Sequence, residues 1–153
     1  MALAAVMQDN KAFDIPIRFY CRSQAKVDEI NNERTLKSVT DLITFKDNVS
    51  ATTSLADCVK GADLVFLVIP AQTLAPFLLK HKDEFESKSI FVNCAKGMSI
   101  KAKKFISQIF AEIWPDRTNL YTVLSGPGFA EEIYKKMPTC VTIAGTCKKS
   151  VDE

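Results

Sequence analysis

The chain has 153 residues, with 20 basic and 18 acidic side chains, a net charge of +2 and 47% hydrophobic residues. That is enough chain for one packed core and too apolar for a disordered segment. The charge balance leaves no electrostatic footprint for nucleic acid or an anionic membrane surface, and no apolar run is long enough to span a bilayer.

Residues 1–7, apolar and rich in alanine, read as the tail of a helix; they lack a basic leader and are too short for a signal peptide. Residues 14–21 alternate like a strand, with Pro16 near its start. Ser23 is then the expected N-cap of a helix through Glu33, with Val27 and Ile30 on its inner face. Residues 36–45 give no periodic signal and read as a surface loop. Residues 48–52 form a short strand. Ser54 and Asp57 have the spacing of a capping box, opening a helix that ends near Lys60 with Gly61 as its stop.

Residues 64–69 are unbroken apolar and β-branched-rich, the pattern of a central parallel strand covered on both faces. Thr73 is the expected cap of the next helix, with Pro76 inside its first turn and Leu74, Phe77 and Leu78 as its apolar stripe. Residues 89–94 are the next strand. Phe105, Ile106, Ile109, Phe110 and Ile113 predict a helix over 100–114, which makes Lys101, Lys103 and Lys104 a solvated helix face. Residues 119–124 predict a strand, 128–135 a helix and 140–144 a last strand. Such alternation means an α/β domain with a mostly parallel sheet.

The five cysteines, Cys21, Cys58, Cys94, Cys140 and Cys147, include no CxxC pair and are odd in number. They read as reduced, mostly buried thiols of an intracellular protein. His81 is the one histidine, and no metal-ligand spacing appears.

Two strand ends carry chemistry. Residues 121–132 run from an apolar strand through Ser125-Gly126-Pro127-Gly128 into a helical segment, an arrangement that offers bare backbone N–H groups to an anion. Residues 89–97 end a second strand in Lys96-Gly97. Both ends fall on one edge of a parallel sheet, where ligands of open α/β sheets bind, and a lysine there neutralises a phosphate as a point charge. The bland alternatives are an ordinary strand-to-helix connection and a solvent-exposed lysine.

The ordered set Ala95-Lys96-Gly97-Met98, then Leu124-Ser125-Gly126-Pro127-Gly128-Phe129-Ala130-Glu131-Glu132, then Pro138 through Ala144, resembles the N-terminal domain of NAD(P)-dependent glycerol-3-phosphate dehydrogenases. The stretch from Ala62 through Gln72 is similar too, so the likeness covers nearly the whole chain. It implies a Rossmann-like, doubly wound, mostly parallel sheet, hydride transfer between NAD(P)H and dihydroxyacetone phosphate, and a phosphorylated small-molecule substrate. It places Lys96, Gly126 and Gly128 near substrate, and Arg22, Pro70, Lys96 and Ala130 near cofactor. Gly128 departs from the Ser or Thr commoner in the family, which removes a hydroxyl. Arg22, at the end of the second strand of that fold, suits the 2′-phosphate of NADP and tilts the reading from NAD to NADP.

A dinucleotide fold opens with a strand and a G-x-G-x-x-G turn, which this chain lacks. The expectation is therefore a partial dinucleotide-binding domain over 1–153, missing its first strand and without the helical domain that carries the family's catalytic lysine. No catalytic residue is assigned, and the chain alone is expected to be inactive and marginally stable. Without that strand, residues 15–21 and 64–69 lose their shared neighbour. The compartment is read as cytoplasmic, with an organelle left open, as is a homodimer of the intact parent. Two other readings stand beside this one: another β-hydroxyacid or ketopantoate-type dehydrogenase, and a non-catalytic α/β module that binds a protein.

Overall fold

The computed structural model describes residues 1–9, 15–37, 40, 43–135 and 137–152. Two compact units emerge: Met1–Cys58 with Pro127–Cys140, and Val59–Gly126 with Val141–Glu153. No helix of the described residues is long and apolar enough to cross a membrane.

The first unit contains α1 (Ala2–Met7), β1 (Ile17–Tyr20), α2 (Gln24–Asn32) and β2 (Val49–Thr52), then α3 (Leu55–Val59), which crosses into the second unit. β1 and β2 pair in parallel, Ile17 opposite Val49 and Tyr20 opposite Thr52. Val27 and Ile30 of α2 are buried as their helical spacing requires. Ser23 does occupy the N-cap, but its hydroxyl makes no capping bond; its carbonyl accepts the Lys26 and Val27 N–H groups. Ser54 behaves as its spacing predicts, Oγ accepting the Asp57 N–H at 3.2 Å. Gly61, at φ +66°, sits just beyond α3 in the left-handed region that glycine enters without strain.

The surface loop expected over 36–45 is corrected. Leu36, Ile43 and Phe45 are each 5% exposed or less and pack with Val27, Ile30, Val49 and Ala51 in the core of this unit. Ser38, Val39, Asp41 and Leu42 lie outside the described residues, as does Asp14 at the start of the expected first strand. The unit is completed by α6 (Ala130–Tyr134), which packs on α1.

The second unit is built on β3 (Leu64–Leu67), α4 (Ala71–His81), β4 (Ile90–Asn93), a short antiparallel pair β5 (Met98–Ser99) and β6 (Lys104–Phe105), α5 (Ile106–Ile113), β7 (Tyr121–Ser125), β8 (Thr142–Gly145) and α7 (Lys148–Asp152). Its sheet runs β3-β4-β7-β8, parallel except for β8. β4 is the central strand, buried at all four positions. β3, expected to be central, is the edge strand of this ladder and half-buried at three of four residues. β1 and β3 are thus edges of two separate ladders.

Three further expectations change here. α4 starts at Ala71 rather than Thr73, so Pro76 lies inside the helix and not in its first turn. The Thr73 hydroxyl donates to the Pro70 carbonyl instead of capping. The long helix expected over 100–114 is only its second half, α5. Residues 98–105 form the β5–β6 hairpin, and Lys103 takes φ +52° in its turn, so Lys101 and Lys103 belong to a hairpin rather than a helix face. The core is aromatic: Phe91 stacks on Trp114 at 5.2 Å and meets Phe110 edge-on at 4.9 Å, and Phe110 lies 4.8 Å from Tyr121.

Candidate functional site

Parallel order places the carboxyl ends of β1 and β2 on one edge of their ladder, and those of β3, β4 and β7 on one edge of theirs. In the second unit β3 leads to Pro70, β4 to Lys96-Gly97, and β7 ends at Ser125 before Gly126. In the first unit β1 leads to Cys21-Arg22. These are the edges on which ligands of open α/β sheets sit.

Lys96 is exposed and, among the described residues, forms no ion pair. Gly97 next to it takes φ +90°, a conformation that would strain any side chain. Lys96, Gly97, Leu124 and Ser125 share an open pocket of about 430 Å³ with Asn93, Tyr121 and Phe105. The structure therefore brings the two strand ends singled out by sequence into one wall. Gly126 follows Ser125 directly, while Pro70 does not line the pocket. Pro70 instead caps α4, its carbonyl accepting the N–H groups of Thr73 and Leu74.

Two pocket residues were not singled out by sequence. Asn93 is buried at 4% exposure and its Oδ1 accepts the Ala95 N–H at 3.0 Å. The phenol of Tyr121 is pushed up to about 12 by burial, against a hydrogen bond with Asn93 that lowers it. The available signal was the polar Asn93 closing an otherwise apolar run. Burial also raises the Cys94 thiol beside them.

In the first unit Arg22 is exposed, and no carboxylate among the described residues pairs with it. Gly128 is tightly enclosed: a Cβ there would stand 2.5 Å from Thr139 Cγ2. Ala130 is exposed at the first position of α6. The Phe129 N–H before it is taken by Glu132 Oε2 at 2.8 Å.

The cysteines are less buried than expected. Cys140 is exposed and the other four are half-buried, all as free thiols. Burial raises the thiols of Cys21 and Cys58.

A dinucleotide meets a partial fit. An unpaired arginine at the end of β1 suits a ribose phosphate, and the Lys96 pocket suits a small anion. The five glycines, at 61, 97, 126, 128 and 145, form no G-x-G-x-x-G, so residues 1–153 hold no such cradle for a pyrophosphate.

Parallel strands joined by helices, with basic and glycine-bearing turns on the carboxyl edge, define a Rossmann-type domain. The model of the family described as "NAD-dependent glycerol-3-phosphate dehydrogenase N-terminus" matches residues 1–151, and the chain belongs to that family. A glycerol-3-phosphate dehydrogenase [NAD(P)+] of Syntrophomonas wolfei is 31% identical over 147 residues, 95% of this chain and 42% of that protein. One from Carboxydothermus hydrogenoformans is 33% identical over 124 residues, 81% of this chain and 37% of its own length. The chain thus spans about two fifths of these relatives. Among solved structures, the glycerol-3-phosphate dehydrogenase of Plasmodium falciparum superimposes with a TM-score of 0.85 at 23% identity, covering 99% of this chain and 44% of that one. That of Coxiella burnetii gives 0.78 at 20% identity, covering 97% and 43%. These structures establish the shared fold.

Proposed function

We propose that residues 1–153 supply the cofactor-side and phosphate-side surfaces of an NAD(P)-dependent glycerol-3-phosphate dehydrogenase. The observation that carries this is Lys96: an unpaired cation at the carboxyl end of the central strand, opening onto a pocket shared with the end of β7. The bound nicotinamide would supply or accept the hydride at the carbon of dihydroxyacetone phosphate or glycerol 3-phosphate. Lys96 holds the substrate phosphate and neutralises it, with the backbone at Gly126 free of side-chain bulk for close approach; Gly128, without the hydroxyl commoner in the family, offers substrate only its backbone. Arg22 takes the 2′-phosphate of NADP, which sets the cofactor preference. Pro70 shapes the cofactor side by fixing the end of β3 against α4, and Ala130 keeps the start of α6 small beside the cofactor. No residue of this chain is assigned as the proton donor, so the chain binds but does not turn over alone. A cytoplasmic location, a homodimer of the intact enzyme and the absence of a nucleic-acid partner complete the reading; the last rests on the near-neutral charge.

The test is a calorimetric titration of the chain with dihydroxyacetone phosphate, NADPH and NADH, beside Lys96→Ala. A charge-assisted hydrogen bond contributes about 1.5–3 kcal/mol, so Lys96→Ala should weaken dihydroxyacetone phosphate binding by about 10-fold or more and leave NADPH less affected. Equal phosphate-ester affinity of parent and variant would overturn the role of Lys96. Turnover by the chain alone would overturn its assignment as a binding part.

A further inference from the structure

We infer that Asn93 is a positioning residue for Lys96, its side chain tying the turn that follows β4 to the floor of the pocket. The inference rests on the reading of Lys96 given above.

β4 continues its ladder one residue past its end, with the Cys94 N–H donating to the Leu67 carbonyl at 3.0 Å. After Cys94 the chain leaves the sheet, and Ala95 has no strand partner. Asn93 takes that place. Its Oδ1 accepts the Ala95 N–H at 3.0 Å, an i to i+2 side-chain turn, and its Nδ2 faces the Ala95 carbonyl at a long 3.5 Å. Ala95 immediately precedes Lys96, and Gly97 immediately follows it at φ +90°. The lysine's backbone is therefore held on one side by Asn93 and on the other by a left-handed glycine.

A carboxamide is a costly group at this place. Ile90, Phe91 and Val92 before it are buried apolar side chains, and Asn93 is itself 4% exposed. An amide so placed is tolerated only with its polar atoms engaged. Its engagements all point to the Lys96 turn and to Tyr121, which lines the same pocket. A residue serving the core alone would be apolar here, like its three predecessors. A flexible turn would leave the four-carbon stem of Lys96 to be ordered by each incoming phosphate, at a cost in affinity.

The experiment is a double-mutant cycle on the full chain, read by dihydroxyacetone phosphate affinity and by amide hydrogen exchange. Asn93→Leu keeps the branching and heavy-atom count, though with more bulk, and removes the tie; Asn93→Ser retains a neutral acceptor for the Ala95 N–H. Asn93→Leu should weaken binding by about 10-fold and Asn93→Ser by no more than about 3-fold. In a Lys96→Ala background Asn93→Leu should have no further effect, because Asn93 acts through the lysine. The Ala95 amide should exchange at least about 10-fold faster in Asn93→Leu, while Val92 and Thr122 keep their protection. Should Asn93→Leu not fold, Asn93→Ser and Asn93→Ala carry the same comparison. An equal loss with and without Lys96 overturns the positioning role, as does an unchanged Ala95 amide. A parent chain that binds no dihydroxyacetone phosphate, with an Ala95 amide that still responds, overturns the phosphate reading and leaves the tie standing.

Discussion

Asn31 on α2 engages both backbone polar groups of Ala51 on β2: its Nδ2 donates to the Ala51 carbonyl at 2.9 Å and its Oδ1 accepts the Ala51 N–H at 2.8 Å. The ladder to β1 uses the carbonyls of Asn48 and Thr52, so by the period of two Ala51 turns its groups to the other edge. Asn31 thus stands in for a neighbouring strand on that edge. Replacing it with alanine should cost about 1–2 kcal/mol, the net value of two partly buried hydrogen bonds. Urea unfolding followed by circular dichroism would read the loss, and the Ala51 amide should exchange faster. A midpoint unchanged from the parent would show that water closes this edge equally well.

Much of this architecture was legible because alternation of short apolar runs with amphipathic stretches constrains an α/β domain tightly. Val27 and Ile30, or Leu74 and Leu78, could face nowhere else. The failures have particular causes. Phe105 extends the stripe of α5 backwards, yet it is 59% exposed and Lys103 leaves helical space, so a hairpin intervenes. Periodicity reports which residues match a face, and is blind to a turn that interrupts the face. Leu36, Ile43 and Phe45 are buried without any period, since irregular chain has none to show. At the candidate site the ends of β4 and β7 were readable because charge and glycine punctuate apolar runs. Asn93 and Tyr121 were not, because their meeting depends on two strands side by side, 28 residues apart in sequence.

Gly128 and Thr139 are matched. A Cβ at 128 would stand 2.5 Å from Thr139 Cγ2, far inside contact distance. Thr139 is stiff at χ1, and its Oγ1 donates to the Met137 carbonyl at 3.2 Å, which resists rotation. Gly128→Ser should therefore destabilise the chain by about 1–3 kcal/mol, the usual range for overpacking. Thr139→Ser removes the offending methyl and should recover most of that loss in the double variant. Thermal melts of the four proteins make the cycle. Additive losses would mean that the two positions do not meet.

Tyr121 gives the chain a defined alkaline weakness. Its phenol is raised from an ordinary 10 to about 12, chiefly by burial. The folded chain thus holds this proton more tightly than the unfolded chain. Below pH 10 both states are protonated and the contribution is fully present. As the pH climbs from 10 towards 12 the unfolded state ionises first, and stability falls by up to about 2–3 kcal/mol. Tyr121→Phe has no proton to lose. Urea midpoints at pH 9, 10, 11 and 12 should show the parent losing stability relative to the variant as the pH rises. Every other titrating group is common to both proteins, so parallel curves would place the Tyr121 phenol in water rather than in the core.

On the proposed reading, Arg22 sets the cofactor preference by a charge that the first unit leaves uncommitted. It follows Cys21 at the end of β1, whose N–H is still held by the Thr52 carbonyl at 2.9 Å, so the backbone that carries the arginine is anchored in the ladder. The side chain is exposed, and no acidic partner among the described residues has to be displaced before a phosphate can bind. A guanidinium meets a phosphate through paired N–H groups, a geometry that lysine cannot reproduce. Arg22→Ser should weaken NADPH by about 10- to 100-fold, as expected for loss of one or two charge-assisted bonds, and leave NADH within about 3-fold. Arg22→Lys should recover only part of the loss. Because the interaction is electrostatic and exposed, the NADPH preference should also shrink between 50 and 500 mM salt, where the screening length falls from roughly 14 to 4 Å. Equal weakening of both cofactors would assign Arg22 to the shape of the turn and remove it from phosphate recognition.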